Sequence, residues 1–181
     1  MFTIYPYKID LISEPFANLK FRDKTVLILI RNSKGQFILE SGDYYPPGIS
    51  RMLGGGVEVN EDVTDAAVRE IREEIGLHIE KEMLQELVQV HIEGIYKTKV
   101  YKTQISVFSL KVPIDSFHLG DDVSEVSLYS EDQYRELVKK YLELKADHFK
   151  KAIDYSFSWK DYGRVYGFVH EMALDEFLKR K

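Results

Sequence analysis

Residues 54–77 read GGGVEVNEDVTDAAVREIREEIGL, and this stretch decides the architecture. Its second half has a helical period. Asp62 is a good N-cap, Asp65 follows three residues on, and Gly76 stands where a helix ending at Ile75 needs left-handed backbone. A helix is therefore predicted over Val63–Ile75. With Glu70 at zero and ~100° per residue, Glu74 falls near +40° and Glu73 near −60°. Glu70, Glu73 and Glu74 thus share one face, while Val68, Ile71 and Ile75 form the stripe that faces a core. Clustered carboxylates repel and stay ionised at low cost only beside a cation. An oxygen-only set favours Mg²⁺ or Mn²⁺ over zinc. Arg69 sits beside Glu73 on the wheel, placed to pair with it and orient it. Gly54, Gly55 and Gly56 let backbone approach a ligand closely and can offer it a carbonyl.

On both sides of this stretch the pattern changes to strands. Lys24–Ile30 is β-branched and apolar, Asn32-Ser33-Lys34-Gly35 is a turn, and Gln36–Glu40 is the returning strand of a hairpin. Ser41–Ser50 is a loop. After the helix, Glu86–Glu93 alternates, with Val88, Val90 and Ile92 on one face and Gln89, His91 and Glu93 on the other. Lys99–Val112 is a longer strand and Glu125–Tyr129 a short final one. From Ser130 the period becomes helical again. Ser130 and Gln133 form a capping box, and Tyr134, Leu137, Val138, Tyr141 and Leu142 an apolar stripe. A second stripe runs from Trp159 through Tyr162, Val165, Tyr166, Val169, Met172 and Ala173 to Phe177. The order predicts an α/β sandwich with a mixed sheet and a C-terminal helical extension.

Composition narrows the function. The chain has 181 residues, 44% hydrophobic and 30% charged, which suits one folded domain with additions. It has no cysteine, which excludes disulfide scaffolds, thiolate zinc sites and cysteine nucleophiles. The segment Glu58–Glu74 holds seven acids and two bases, and so carries the whole net charge of −5. The balanced remainder argues against a surface for duplex nucleic acid. The longest apolar run, Val26–Ile30, is far short of a membrane span, and Met1–Ile4 lacks the layout of a signal peptide. A cytoplasmic protein is expected.

Gly55, Glu61, Arg69-Glu70-Ile71, Glu73-Glu74 and Gly76-Leu77 match all nine defined positions of the Nudix box: Gly, five residues, Glu, seven, Arg-Glu-aliphatic, one, Glu-Glu, one, Gly-aliphatic. The chain resembles the Nudix hydrolase family over residues of about 20–130, with the box at 55–77. The first twenty residues and the helices of 131–181 lie outside the likeness. The resemblance implies an α/β/α sandwich, a single domain over 1–181, and metal-dependent cleavage of a diphosphate linkage by water. It implies Glu70, Glu73, Glu74 and the Gly54 carbonyl as metal ligands. Glu58 and Arg69 resemble residues that support the loop and the ligands. Glu125 stands where many members place a further glutamate, a candidate ligand or general base. Leu53 replaces a usual proline and Asn60 a usual glycine; neither removes a carboxylate, and Asn tolerates left-handed backbone.

The substrate must be read from other residues, and fewer signals are present. Tyr44 and Tyr45 are candidates to stack on a base, and Arg51 is a candidate phosphate contact. The expected substrate is a nucleotide or a nucleoside diphosphate derivative, with Mg²⁺ or Mn²⁺ as cofactor. The terminal aromatic stripes suit core packing or a homodimer contact. Two alternatives stand beside this reading. One is a Nudix-fold module that senses a nucleotide without cleaving it, although such modules often lose box glutamates and this chain keeps them. The other is an RNA 5′-end pyrophosphohydrolase, for which the balanced remainder offers little basic track.

Overall fold

A computed structural model describes residues 1–42, 45–113, 125–145, 149–151 and 156–180. Its main sheet has six strands: β1 (Thr3–Asp10), β2 (Lys24–Asn32), β3 (Phe37–Ser41), β4 (Gln85–Tyr96), β5 (Lys99–Val112) and β6 (Glu125–Tyr129). The order across the sheet is β1-β4-β5-β2-β3-β6. β1 and β4 run parallel, as do β2 and β5, and the other pairs are antiparallel. The helices are α1 (Ala17–Lys20), α2 (Val63–Ile75), α3 (Glu131–Leu142) and α4 (Trp159–Lys179). Before α4, β7 (Phe149–Lys151) and β8 (Ser156–Ser158) pair as a separate ribbon.

The period of two in β2 divides the core. Val26, Ile28 and Ile30 join Ile38, Phe108, Leu110 and the buried face of α2, which is Ala66, Ala67, Ile71 and Ile75. Leu27 and Leu29 join Leu39, Val88, Val90, Ile92 and Val107 on the other face, under α3 and α4. The mixed sheet is thus covered by α2 on one side and the C-terminal helices on the other, the expected α/β/α sandwich. Val88, Val90 and Ile92 are buried as their alternation predicts.

Local signals held at each end of α2. Asp62 accepts from the Thr64 amide at 2.8 Å, and Gly76 caps with a φ of 66°. The Ser130–Gln133 capping box forms with both of its bonds. Two features differ from the sequence reading. The N-terminal segment contributes an edge strand of the main sheet, β1, zipped to β4 along its whole length. Leu142, part of the predicted apolar stripe of α3, is exposed: it falls in the last turn, at the rim of the contact with α4, where it lies beside Gly167. Most of both stripes buries in the chain's own core, with Tyr134, Tyr141, Val165, Tyr166 and Val169 fully covered and Met172 half-buried.

The site is placed by a gap in the sheet. β2 and β3 pair only at Ile30–Ile38 and Arg31–Phe37 and then diverge. The segment before α2 enters the opening. Arg51 bonds Glu40 of β3 in both directions at 2.8 Å, and the Leu53 and Gly55 carbonyls accept from Ile28 and Val26 of β2 at 2.8 and 2.9 Å. The glycines are thereby wedged between two strands, under the second half of α2.

Candidate active site

Gly54 adopts a φ of 130°, and a Cβ there would lie 2.2 Å from the Val26 carbonyl oxygen. Only glycine satisfies both conditions. Its amide donates to Glu74 Oε2 at 2.8 Å and its carbonyl accepts from Arg51 Nη2 at 2.6 Å. Gly55 faces the next carboxylate: a Cβ there would sit 2.5 Å from Glu70 Oε1. The glycines therefore make room for the glutamates of the helix above them.

Arg69 organises the exposed side of the cluster. Its Nε and Nη2 donate to the two oxygens of Glu61 at 2.9 and 3.0 Å, a bidentate pair. Its Nη1 donates to Glu70 at 2.8 Å and to Glu73 at 3.0 Å, and Nη2 reaches the Gly56 carbonyl at 2.9 Å. The Arg69–Glu73 pairing expected from the wheel is present. Hydrogen bonds from Arg69 hold the Glu61 carboxyl below the usual range. Glu70 is pushed up by burial despite Arg69. Glu74 is pushed up to about 8, chiefly by burial and then by the charge of Glu40.

Glu40 was not singled out in the sequence. It is 2% exposed, at the end of a strand whose alternation places it on the same side as Ile38. It accepts from Arg51 Nη2 at 2.8 Å and from the Tyr45 hydroxyl. The available signal was its inward register in Phe37–Ser41, where an apolar residue is the norm. Glu61 belongs to the box by its spacing, and the structure adds that it is the partner that orients Arg69.

The other candidates fall in different places. Arg51 turns inward, its guanidinium 5.0 Å from the ring centroid of Tyr45 and 5.9 Å from that of Tyr166. Tyr45 packs against the α3–α4 side of the core. Tyr44 lies outside the described residues. Glu58 is exposed, and its amide donates to Glu61. Glu125 pairs with Ser41, one position out of phase with Val126, which packs on the α2 side. Its register therefore turns it to the opposite face. There Glu125, Ser127 and Tyr129 line a cleft of about 610 Å³ with Ser41, Tyr45 and Ser50. His91 and Glu93 line a separate concavity of about 800 Å³, where Glu93 pairs with Lys8 at 3.0 Å.

The donor set suits a hard divalent cation. All candidate ligands are oxygens, Glu74 is charged only against burial, and the space at Gly55 is one that a side chain would fill. Glu70 and Glu73 both turn to Arg69, and Glu74 turns to the Gly54 amide. Accordingly, among the described residues no three acidic or histidine side chains meet at one point.

The profile of the family described as NUDIX domain matches residues 21–152, and the chain belongs to this family. The class that its fold and box define is the Nudix hydrolases. Compared by sequence with curated proteins, the chain matches none. Its fold is similar to that of the MutT protein from Methanosarcina mazei Go1, at 22% identity over 83% of this chain and 93% of that one, with a TM-score of 0.51. It is also similar to the E. coli dihydroneopterin triphosphate pyrophosphohydrolase, at 19% identity over 65% and 85% of the two chains, with a TM-score of 0.51. A MutT/nudix family protein from Enterococcus faecalis matches at 19% identity over 64% of this chain, with a TM-score of 0.49; the chain spans 46% of that protein's length. At these identities the likeness is one of fold. No helix among the described residues is long and apolar enough to cross a membrane.

Proposed function

We propose that the chain is a Mg²⁺- or Mn²⁺-dependent pyrophosphohydrolase that cleaves a diphosphate linkage in a nucleotide or nucleoside diphosphate derivative. The reading rests on one observation: Glu70 and Glu74, on one face of α2, lie against the Gly54–Gly55 backbone, with Glu74 bonded to the Gly54 amide and Glu73 tied to Glu70 through Arg69. Glu70, Glu73, Glu74 and the Gly54 carbonyl are the groups that would hold the cation. When bound, the cation neutralises phosphate oxygens and lowers the pKa of an attacking water.

The chain's own residues supply the rest. Arg69, anchored on Glu61 and the Gly56 carbonyl, holds Glu70 and Glu73 in place. A glutamate of this face takes the proton of the attacking water. Glu125 is given no step, because its register carries it to the other face of the sheet. The substrate is a small nucleotide, and the site of action is expected to be the cytoplasm.

The test is a panel of nucleoside triphosphates and nucleoside diphosphate derivatives with Mg²⁺ and with Mn²⁺, scored for released phosphate or pyrophosphate. Metal-dependent turnover that is lost in Glu73→Gln supports the reading. Turnover on no member with either metal, from folded protein that binds nucleotide, favours a sensing module instead.

A further inference from the structure

We propose that Glu40 and Arg51 form a buried positioning pair that sets the peptide groups flanking Gly54, and through them Glu74, for divalent metal binding. This inference rests on the metal site proposed above.

Glu40 and Arg51 face each other across a backbone bridge, with both N–H···O bonds at 2.8 Å, so their side chains leave on the same side. Arg51 gives Nε and Nη2 to a single oxygen, Oε1 of Glu40, at 3.2 and 2.8 Å. The Tyr45 hydroxyl donates to the same oxygen. The rings of Tyr45 and Tyr166 lie within cation–π reach of the guanidinium, at 5.0 and 5.9 Å. The Arg51 and Glu40 side chains are 11% and 3% exposed. A buried ion pair adds little net stability over a well-packed apolar pair. This one does something an apolar pair does not: Nη2 also holds the Gly54 carbonyl at 2.6 Å.

The consequence for the site is geometric. Gly54, at a φ of 130°, is a residue whose flanking peptides have wide freedom to turn. Arg51 fixes the one that follows it. A carbonyl oxygen has two lone pairs, and the guanidinium takes one of them, leaving the second for a metal. On the other side, the Gly54 amide donates to Glu74 Oε2 at 2.8 Å. The chain of contacts runs from Glu40 through Arg51 and Gly54 to Glu74, linking β3 to the face of α2. Arg51 thus acts on the metal site from behind and does not meet the substrate.

The test uses Arg51→Lys and Glu40→Gln in the full chain. An ammonium cannot hold Glu40 and Gly54 in the fork geometry, and Gln keeps the shape of Glu40 without its charge. Mn²⁺ affinity is measured by titration without substrate, folding by circular dichroism, and KM and kcat at saturating metal. Both variants should stay folded and bind Mn²⁺ about 10- to 100-fold more weakly, the range for groups that orient a ligand. The nucleotide KM at saturating metal should change less than about 3-fold, and the double variant should be scarcely worse than either single one. Equal Mn²⁺ affinity in wild type and a folded variant overturns the inference alone. So does a large rise in KM with Mn²⁺ affinity intact, which would make Arg51 a phosphate contact. If Arg51→Lys does not fold, Glu40→Gln decides by the same readouts. Wild-type chain that binds no Mn²⁺ overturns the proposed function and this inference together.

Discussion

His170 should act as an acid-sensitive element of the fold. It lies on α4, 0% exposed, between two tyrosines of α3. Its Nδ1 is 2.8 Å from the Tyr134 hydroxyl and its Nε2 is 3.3 Å from the Tyr141 hydroxyl. Tyr141 already donates to the Ser50 carbonyl at 2.9 Å, so its oxygen accepts from His170. The neutral ring therefore carries its proton on Nε2 and accepts from Tyr134 at Nδ1. Burial, and then the charge of Arg51, lower its pKa from 6.5 to about 3. The unfolded chain binds this proton near 6.5 and the folded chain does not. The stabilisation is complete above pH 6.5 and is lost as pH falls from there toward 3. At ~1.4 kcal/mol per pH unit, about 2 kcal/mol is gone by pH 5. His170→Gln keeps a donor and an acceptor and removes the titration. Urea unfolding of both proteins at pH 7 and pH 5 isolates the effect, since any packing loss cancels in the difference. The variant should lose about 2 kcal/mol less than wild type between the two pH values, or roughly 4–8 °C of Tm. Equal losses, or a His170 ring that titrates near 6.5 by NMR in the folded protein, would refute the reasoning.

Other substitutions separate chemistry from folding. Glu74→Gln should lower turnover at saturating Mg²⁺ at least about 10²-fold, read in a steady-state assay. Because Glu74 is raised from 4.5 to about 8, its ionisation costs metal-free stability as pH rises through that range. The Gln variant should thus melt no lower than wild type at pH 8 without metal. Gly55→Ala puts a methyl against the Glu70 carboxylate, the movable end of a side chain, so activity and Mn²⁺ affinity should fall while the melting temperature is nearly kept. Gly54→Ala meets the Val26 carbonyl and a positive φ, and it should lower stability first, as a thermal melt would show. Truncation after Ser130 removes α3 and α4 from over Phe37, Leu39 and Val90, and the shortened chain should fail to stay soluble and folded by size-exclusion and circular dichroism.

What was legible in the sequence is what short-range physics controls. The helix of Val63–Ile75, its Asp62 and Gly76 caps, the shared face of Glu70, Glu73 and Glu74, and the pairing of Arg69 with Glu73 depend on residues within a few turns of one another. Asn60, standing in for glycine, takes the left-handed backbone, at a φ of 65°. The hairpin, the alternation of β4 and the capping box of α3 follow for the same reason.

Tertiary structure alone decided the rest, because contacts between distant segments leave no period behind. β1 meets β4 some eighty residues away in a parallel pairing that no turn announces. Arg51 reads as a free cation beside the glycines; only the divergence of β2 and β3 turns it onto Glu40. Glu125 reads as a further site carboxylate, yet a strand with period two sends neighbouring residues to opposite faces, and a shift of one residue in pairing is enough to separate it from α2. Burial works in the same way. Glu40, Glu74 and His170 are ordinary titratable residues in the chain, and it is the removal of water by packed strands and helices that displaces Glu74 upward and His170 downward.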